Sequence, residues 1–377
     1  MTDISSLPAS QAALKVVGSN DLAVAPDAAL PALEPTEVLV RVACISINQV
    51  DSKSADLSPT PGATSGTDFS GVVAALGADV DTDKWHIGDR VMGGIFGNNP
   101  LRRDNGAFAE YVAVPEKLLW HVPAAMDFAT AASMPAALAT VGLSLFRYLE
   151  IPMPDANGLL KLASSGEDGT TKYNPTYVLI YGGGTATGAM AIQVLRLLGL
   201  APITTCSPAS AQRSVELGAS ATFDYRSPNC GTEVLEHTAG SLALALDCIS
   251  SSDSMACCYM ALGPAGGRYV ALDPFPLRGH TRRSVQPDWI CSYTIFGRDI
   301  AWAPPFDLDA RMDDRATAEE WYVLAQRLLD DGMVVPQPLE VRGGGLAAVG
   351  AGMNEVLKGK IKGKKLVYPV AEQLCAA

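Results

Sequence analysis

The sequence predicts an α/β protein in which a β-rich domain accompanies a doubly wound parallel sheet, and three observations carry that prediction. Residues 37–48 open on the period-2 alternation of a half-buried strand. From Tyr177 onward, apolar strands and apolar helices alternate with short connections, which builds a parallel sheet covered by helices on both faces. A glycine-rich turn at 182–188 falls between the first of those strands and the helix that follows it.

In chain order, 37–48 is the first clear strand, and 64–78 is rich in Gly, Val and Ala as a second β segment. An Ala-rich helix is expected over 127–148, begun by Asp127 and divided by Pro135. The polar stretch 154–175 reads as a surface loop. Strands follow at 177–181, 201–206, 242–247 and 268–272, with a helix over 189–198 between the first two. A helix at about 317–331 precedes 363–368, which looks like a strand returning to the first domain.

At 377 residues and 48% hydrophobic, the chain is long enough for two cores. A net charge of −12 argues against a nucleic-acid footprint. The N-terminus lacks a basic and apolar leader, and no apolar run approaches the roughly 18 residues of a membrane helix. A cytoplasmic enzyme is expected. Eight cysteines occur without C-x-x-C spacing and read as reduced, mostly buried thiols. The four histidines, His86, His121, His237 and His280, stand apart from one another and from the cysteines, so no local spacing supports a metal site.

The turn reads Gly182-Gly183-Gly184-Thr185-Ala186-Thr187-Gly188. Between a strand and a helix, glycines let backbone N–H groups and the helix N-terminus approach the pyrophosphate of a dinucleotide. The spacing departs from G-x-G-x-x-G, so its position carries more weight than the pattern. An NAD site would place a carboxylate at the end of the next strand, which here reads Thr204-Thr205-Cys206-Ser207-Pro208. The small hydroxyl leaves room for a 2′-phosphate, with Arg213 as a counter-charge, and predicts NADP. Ser207 also suits a helix N-cap, with Pro208 at the first helical position.

On these residues the chain resembles the quinone-reductase branch of the medium-chain dehydrogenase/reductases. Within that branch it is similar to the trans-acting enoyl reductases of fungal polyketide synthases, the lovastatin type among them, from about residue 10 to 370. General landmarks are Ile47-Asn48-Gln49-Val50-Asp51-Ser52-Lys53, Gly66-Thr67-Asp68-Phe69-Ser70-Gly71 and Gly88-Asp89-Arg90-Val91. The glycine loop, Cys206-Ser207-Pro208 and Asp273-Pro274-Phe275-Pro276 are narrower.

The resemblance implies a GroES-like catalytic domain over 1–130 and 330–377 and a Rossmann NADP-binding domain over 131–329. It places Val50, Asp51, Ser52, Lys53 and Thr140 near the nicotinamide, and Gly184, Thr185, Ala186 and Thr187 at the pyrophosphate. Ser207, Pro208, Ala209, Ser210 and Tyr225 match the adenosine end; Leu272, Ile295, Phe296, Lys362 and Gly363 match further cofactor contacts. These relatives often carry Ser where this chain has Gly184, and zinc-dependent members carry a His-Glu pair where it has Thr67-Asp68, so no metal is expected.

The implied reaction is conjugate reduction: hydride from NADPH enters the β-carbon of an α,β-unsaturated polyketide thioester, and Lys53 and Thr140 are the candidate catalytic residues. The thioester would be held by the carrier domain of a partner polyketide synthase or a synthase–peptide synthetase hybrid. Arg102, Arg103, Arg282 and Arg283 are candidates to meet that carrier, against the alternative of solvated loop charges. A freestanding quinone or enone reductase and a non-catalytic NADPH-binding accessory protein are the rival readings. Members of the superfamily often dimerise through edge strands near 294–297, but Pro304 and Pro305 follow here, and a monomer is favoured.

Overall fold

The computed structural model describes residues 7–155 and 176–375, so most of the loop expected over 154–175 lies outside the described residues. The chain forms two compact units. One comprises 1–139, 293–331 and 336–377, and the other 140–292 and 332–335.

The first unit opens with the hairpin of β1 (Gln11–Gly18) and β2 (Asp21–Ala28). Its main sheet contains β3 (Glu37–Ser46), β4 (Asp68–Leu76), β5 (Arg90–Gly94), β6 (Tyr111–Pro115) and β7 (Leu119–His121). The order runs from Leu339–Val341 through Lys365–Pro369 to β3, β4, β5 and β7, with β6 also on β3. The strand expected near the C-terminus therefore does return to this unit.

β3 is buried along nearly its whole length, with only Arg41 exposed. Val38, Val40 and Val42 enter the main core with Phe69, Trp85, Phe108 and Tyr368. A register shift against β4 between Val42 and Cys44 changes the alternation, so that Ile45 joins the same core while Ala43 and Cys44 pack against Phe128. Arg102 ties the start of this strand down, its Nη2 reaching Glu37 Oε2 at 2.7 Å.

The expected helix after residue 127 is divided as predicted. Asp127 caps Phe128–Ala132 by accepting from Thr130 N–H at 2.7 Å, and Pro135 begins Pro135–Gly142, which continues as a π-helix over Leu143–Tyr148. Residues 293–329 group with the first unit, whereas the sequence division had placed them in the second. The reason lies in the helix Met312–Asp330. Trp120 stacks on Tyr322 with ring centroids 3.8 Å apart and donates from Nε1 to the Tyr322 carbonyl at 3.0 Å. Trp321 donates to the Leu138 carbonyl at 2.8 Å.

The second unit holds a parallel sheet of β8 (Tyr177–Tyr181), β9 (Ala201–Cys206), β10 (Ala221–Asp224), β11 (Leu244–Asp247), β12 (Gly267–Ala271) and β13 (Val285–Trp289). The order β10-β9-β8-β11-β12-β13 reverses between β8 and β11. Ligands of doubly wound sheets bind beyond the C-terminal strand ends at such a reversal. β8 and β11 are apolar and almost wholly buried, as strands covered on both faces must be.

The segment near 294–297, where superfamily members pair edge strands, is not a strand in this chain. Ser292–Phe296 is a 3₁₀ helix, fixed by Thr294 donating to Asp314 Oδ2 at 2.6 Å, and the sheet's edge is β13.

Candidate functional site

The glycine loop leaves β8 at the reversal point. Gly182 adopts φ +98°, and its N–H and that of Gly183 donate back to the Thr205 carbonyl at 3.1 and 3.0 Å. Side chains are excluded at two further positions: a Cβ on Gly183 would stand 2.3 Å from Thr204 Oγ1, and one on Gly188 2.3 Å from the Gly182 carbonyl oxygen. Thr185 is the N-cap of the helix Ala186–Leu197, accepting from Gly188 N–H at 3.0 Å and donating to the Gly182 carbonyl at 2.8 Å. The N–H groups of Ala186 and Thr187 have no intrahelical acceptor at this end, and residues 184–187 are partly open to solvent. A helix N-terminus open in this way can receive an anion.

Beyond β9, Ser207 is the N-cap residue of the helix Pro208–Glu216, with Pro208 at its first position. Its hydroxyl lies 3.2 Å from that of Ser210 rather than on a backbone N–H. β10 pairs Asp224 with Cys206, so Tyr225, which is exposed, follows its strand beside Ser207. Arg226 is held on Asp224 by two hydrogen bonds of 3.0 and 3.1 Å. That pairing pulls the Asp224 pKa down.

Asp247, at the end of β11, was not singled out in the sequence. It is buried and accepts from Ser254 Oγ at 2.6 Å, Tyr269 Oη at 2.7 Å, and the N–H groups of Ile249 and Ser250 at 2.9 Å. Burial pushes its pKa up despite these donors. They hold Ser250 at φ +59°, where its hydroxyl accepts from Leu272 N–H at 2.9 Å. Thus 184–187, 207–210, Tyr225 and Leu272 all follow C-terminal ends of strands in one sheet.

In the first unit, Val50, Asp51, Ser52 and Lys53 occupy the opening of the helix Gln49–Leu57. Asn48 and Asp51 form a capping box, with Asn48 N–H donating to Asp51 Oδ2 at 2.7 Å. Thr67 donates to Asp51 Oδ1 at 2.7 Å, and its oxygen is 2.6 Å from Tyr293 Oη. Burial raises the Asp51 carboxyl to about 7, with the Asn48 and Thr67 hydrogen bonds opposing. Ser52 donates to the Met353 carbonyl at 2.9 Å, and Lys53 is half-buried on the next turn.

The neighbouring Asp68 accepts from Asn48 Nδ2 at 2.8 Å, Ser46 Oγ at 3.2 Å and Ala136 N–H at 2.8 Å, and Lys365 Nζ stands 3.3 Å away. Lys365 also donates to Asn48 Oδ1. Lys362 and Gly363, the latter at φ +64°, are exposed just before Lys365. Ile295 is buried and Phe296 half-buried in the same 3₁₀ helix as Tyr293. Thr140, which groups with the second unit, is half-buried on Pro135–Gly142. Of the four arginines considered for a carrier, Arg102 is bound to Glu37, and Arg282 donates to the carbonyls of Tyr259 and Leu262 at 2.6 and 2.8 Å. Arg103 and Arg283 are exposed.

Residues 34–124 match the alcohol dehydrogenase GroES-like domain. The whole chain is similar to the trans-enoyl reductase iccB of Talaromyces variabilis, 60% identical over 98% of this chain and 99% of that one. It is similarly 62% identical to the trans-enoyl reductase iliB of Neonectria sp. (strain DH2), over 97% of this chain and 98% of that one.

The chain belongs to the trans-enoyl reductase family.

Its fold is that of the medium-chain dehydrogenase/reductases, as the sequence resemblance implied. An alcohol dehydrogenase superfamily protein from Novosphingobium aromaticivorans superposes with a TM-score of 0.72 at 21% identity, over 96% of this chain and 100% of that one. The CurK enoyl reductase does so with a TM-score of 0.70 at 16% identity, over 95% and 99%. In this trans-enoyl reductase, Thr67 and Asp68 are committed to the hydrogen bonds above. Among the described residues no group of three or more His, Cys, Asp or Glu side chains is placed to hold a metal ion. None of the described helices is long and apolar enough to cross a membrane.

Proposed function

We propose that this enoyl reductase takes its hydride from NADPH in the cytosol and reduces an α,β-unsaturated polyketide thioester presented by the carrier domain of a partner synthase. The observation that carries the cofactor choice is the end of β9, where Ser207 and Ser210 set two hydroxyls 3.2 Å apart, the strand end itself carries no carboxylate, and the adjacent Asp224 is engaged by Arg226. The glycine loop suits a pyrophosphate because Cβ atoms at 183 and 188 would collide with Thr204 and with the Gly182 carbonyl, so only glycine lets the chain turn this tightly into the helix N-terminus. Tyr225 offers an exposed ring to the adenine, and Arg213, half-buried on Pro208–Glu216, offers charge to the 2′-phosphate.

Bound NADPH supplies the hydride. Val50 to Lys53, Thr140, Leu272, Ile295, Phe296, Lys362 and Gly363 hold and orient the nicotinamide half. Lys53 and Thr140 are the residues assigned to the thioester oxygen, whose developing charge hydrogen-bond donors stabilise. The partner is inferred from the names of relatives at 60% identity and above. Exposed Arg103 and Arg283 suit the phosphate and acidic helices of a carrier. Pro287 on the edge strand β13 has no N–H for a second copy, which favours a monomer.

The test is the loss of NADPH absorbance with an enoyl thioester on a pantetheine mimic, with NADH and a simple quinone in parallel. Turnover with thioester and NADPH alone is expected. Equal rates with NADH would overturn the cofactor assignment, and turnover with the quinone alone would overturn the substrate.

A further inference from the structure

Conjugate reduction leaves one need unmet by Lys53 and Thr140. Once hydride has reached the β-carbon, the electron pair of the former double bond is shared by the thioester oxygen and the α-carbon, which must take a proton. In the first unit three oxygens stand in line: Asp51 Oδ1, Thr67 Oγ1 at 2.7 Å from it, and Tyr293 Oη at 2.6 Å from Thr67. None of the three residues is more than 5% exposed, so water does not break the line.

Each group can both give and take a proton. With Asp51 ionised, Thr67 donates to it and Tyr293 donates to Thr67. With Asp51 protonated, every O–H reverses, and that of Tyr293 turns away from Thr67. Asp51 Oδ2 is held by Asn48 N–H, so the mobile proton sits on Oδ1.

We infer that Asp51, Thr67 and Tyr293 form a proton relay that supplies the α-carbon, with Asp51 as the store and the Tyr293 hydroxyl as the outlet. This rests on the enoyl reductase reading above. The Tyr293 O–H bond breaks as the α-carbon C–H bond forms from the enolate pair and the thioester carbonyl is restored. The Thr67 proton passes to Tyr293 and the Asp51 proton to Thr67, and the Asp51 carboxylate is reprotonated from solvent. The alkene thereby gains one hydride and one proton.

The placement supports this role. Asp51 lies between Val50 and Lys53, and Tyr293 lies two residues before Ile295, so the relay joins two segments proposed to hold the nicotinamide. Phe96 stacks on Tyr293 at 4.5 Å and Trp302 meets it edge-on at 5.3 Å, which fixes the ring that carries the outlet. The charged groups acting on Asp51 are Asp68 from β4, which favours the neutral acid, and Lys365 from the C-terminal strand, which opposes it. Burial outweighs both, so the store stays filled up to about pH 7.

The test compares wild type with Thr67→Val, which keeps the shape and cuts the line, Tyr293→Phe and Asp51→Asn. Wild-type kcat with the enoyl pantetheine thioester should fall as pH rises through about 7. Thr67→Val and Tyr293→Phe should lose about 10²-fold in kcat with KM for NADPH unchanged, and Asp51→Asn should lose the falling limb. In cofactor-free protein, infrared pH-difference spectra should show a carboxylic C=O band vanishing near pH 7 that Asp51→Asn lacks. Variants with wild-type rates and an unaltered limb would overturn the relay and leave the reductase reading standing. A wild type that oxidises no NADPH with the thioester would overturn that reading, and the relay with it.

Discussion

The Lys365 ammonium stands 3.3 Å from the Asp68 carboxylate, the two side chains 6% and 0% exposed. One comes from the C-terminal strand and the other from β4, so the pair fastens the last strand to the early sheet. Lys365→Met leaves the carboxylate buried with its neutral donors only and should cost roughly 3–5 kcal/mol. A lower denaturant midpoint would register this. Adding Asp68→Asn should recover much of the loss, because the stranded charge is then gone.

The glycine loop makes opposite predictions for two neighbouring positions. Gly188→Ala drives a Cβ to 2.3 Å from the Gly182 carbonyl oxygen, which has backbone on both sides and cannot yield. NADPH affinity should fall at least tenfold, about 1.4 kcal/mol, by titration calorimetry. At Gly184 the nearest atom to a Cβ is Ser210 Oγ at 3.1 Å, a hydroxyl that can rotate aside. Gly184→Ser should fold as wild type and bind NADPH at least as tightly.

Cofactor choice should turn on one side chain. Ser207→Asp places a carboxylate where the 2′-phosphate is proposed to sit and where a ribose diol would welcome it. The NADPH-to-NADH affinity ratio should drop by about a hundredfold, roughly 2.8 kcal/mol. An unchanged ratio would mean that this strand end does not read the ribose.

Tyr322 keeps its ring stacked on Trp120 while its hydroxyl is buried with no hydrogen-bond partner among the described residues. Burial also drives its pKa upward. Tyr322→Phe removes the unsatisfied hydroxyl and retains the stack, so it should raise stability by about 1 kcal/mol. A melting temperature below wild type would contradict this.

Four of the six parallel strands were legible because each is a short apolar run bounded by turns, and the glycine loop because its position between β8 and a helix has one common use; β10, with no buried residue, and β13, which carries Gln286, Pro287 and Asp288, gave no such run. The capping role of Asp127 and the break at Pro135 are local and were equally readable. The line from Asp51 through Thr67 to Tyr293 was not, since it joins three segments far apart in the chain. One signal was present: Asp51, Thr67 and Asp68 are polar residues beside an apolar strand, and buried polar groups need partners. Asp247 ended an apolar strand and invited the same question. The 3₁₀ turn at 292–296 had no local signal; its form is set by the Thr294 bond to Asp314 and the Tyr293 contact with Thr67.

The place of Lys365–Pro369 next to β3 has a consequence for synthesis. Translation delivers β3 to β7 early, then every strand of the second unit, and only afterwards the segment that pairs with β3 and neutralises Asp68. On the ribosome the second unit can close as soon as its own residues have emerged. The first must wait, with residues 44–46 of β3 unpaired on the flank where β6 already covers 37–41, until nearly the whole chain is out. That interval, with a strand edge open and an unneutralised acid behind it, is when this protein most needs a chaperone.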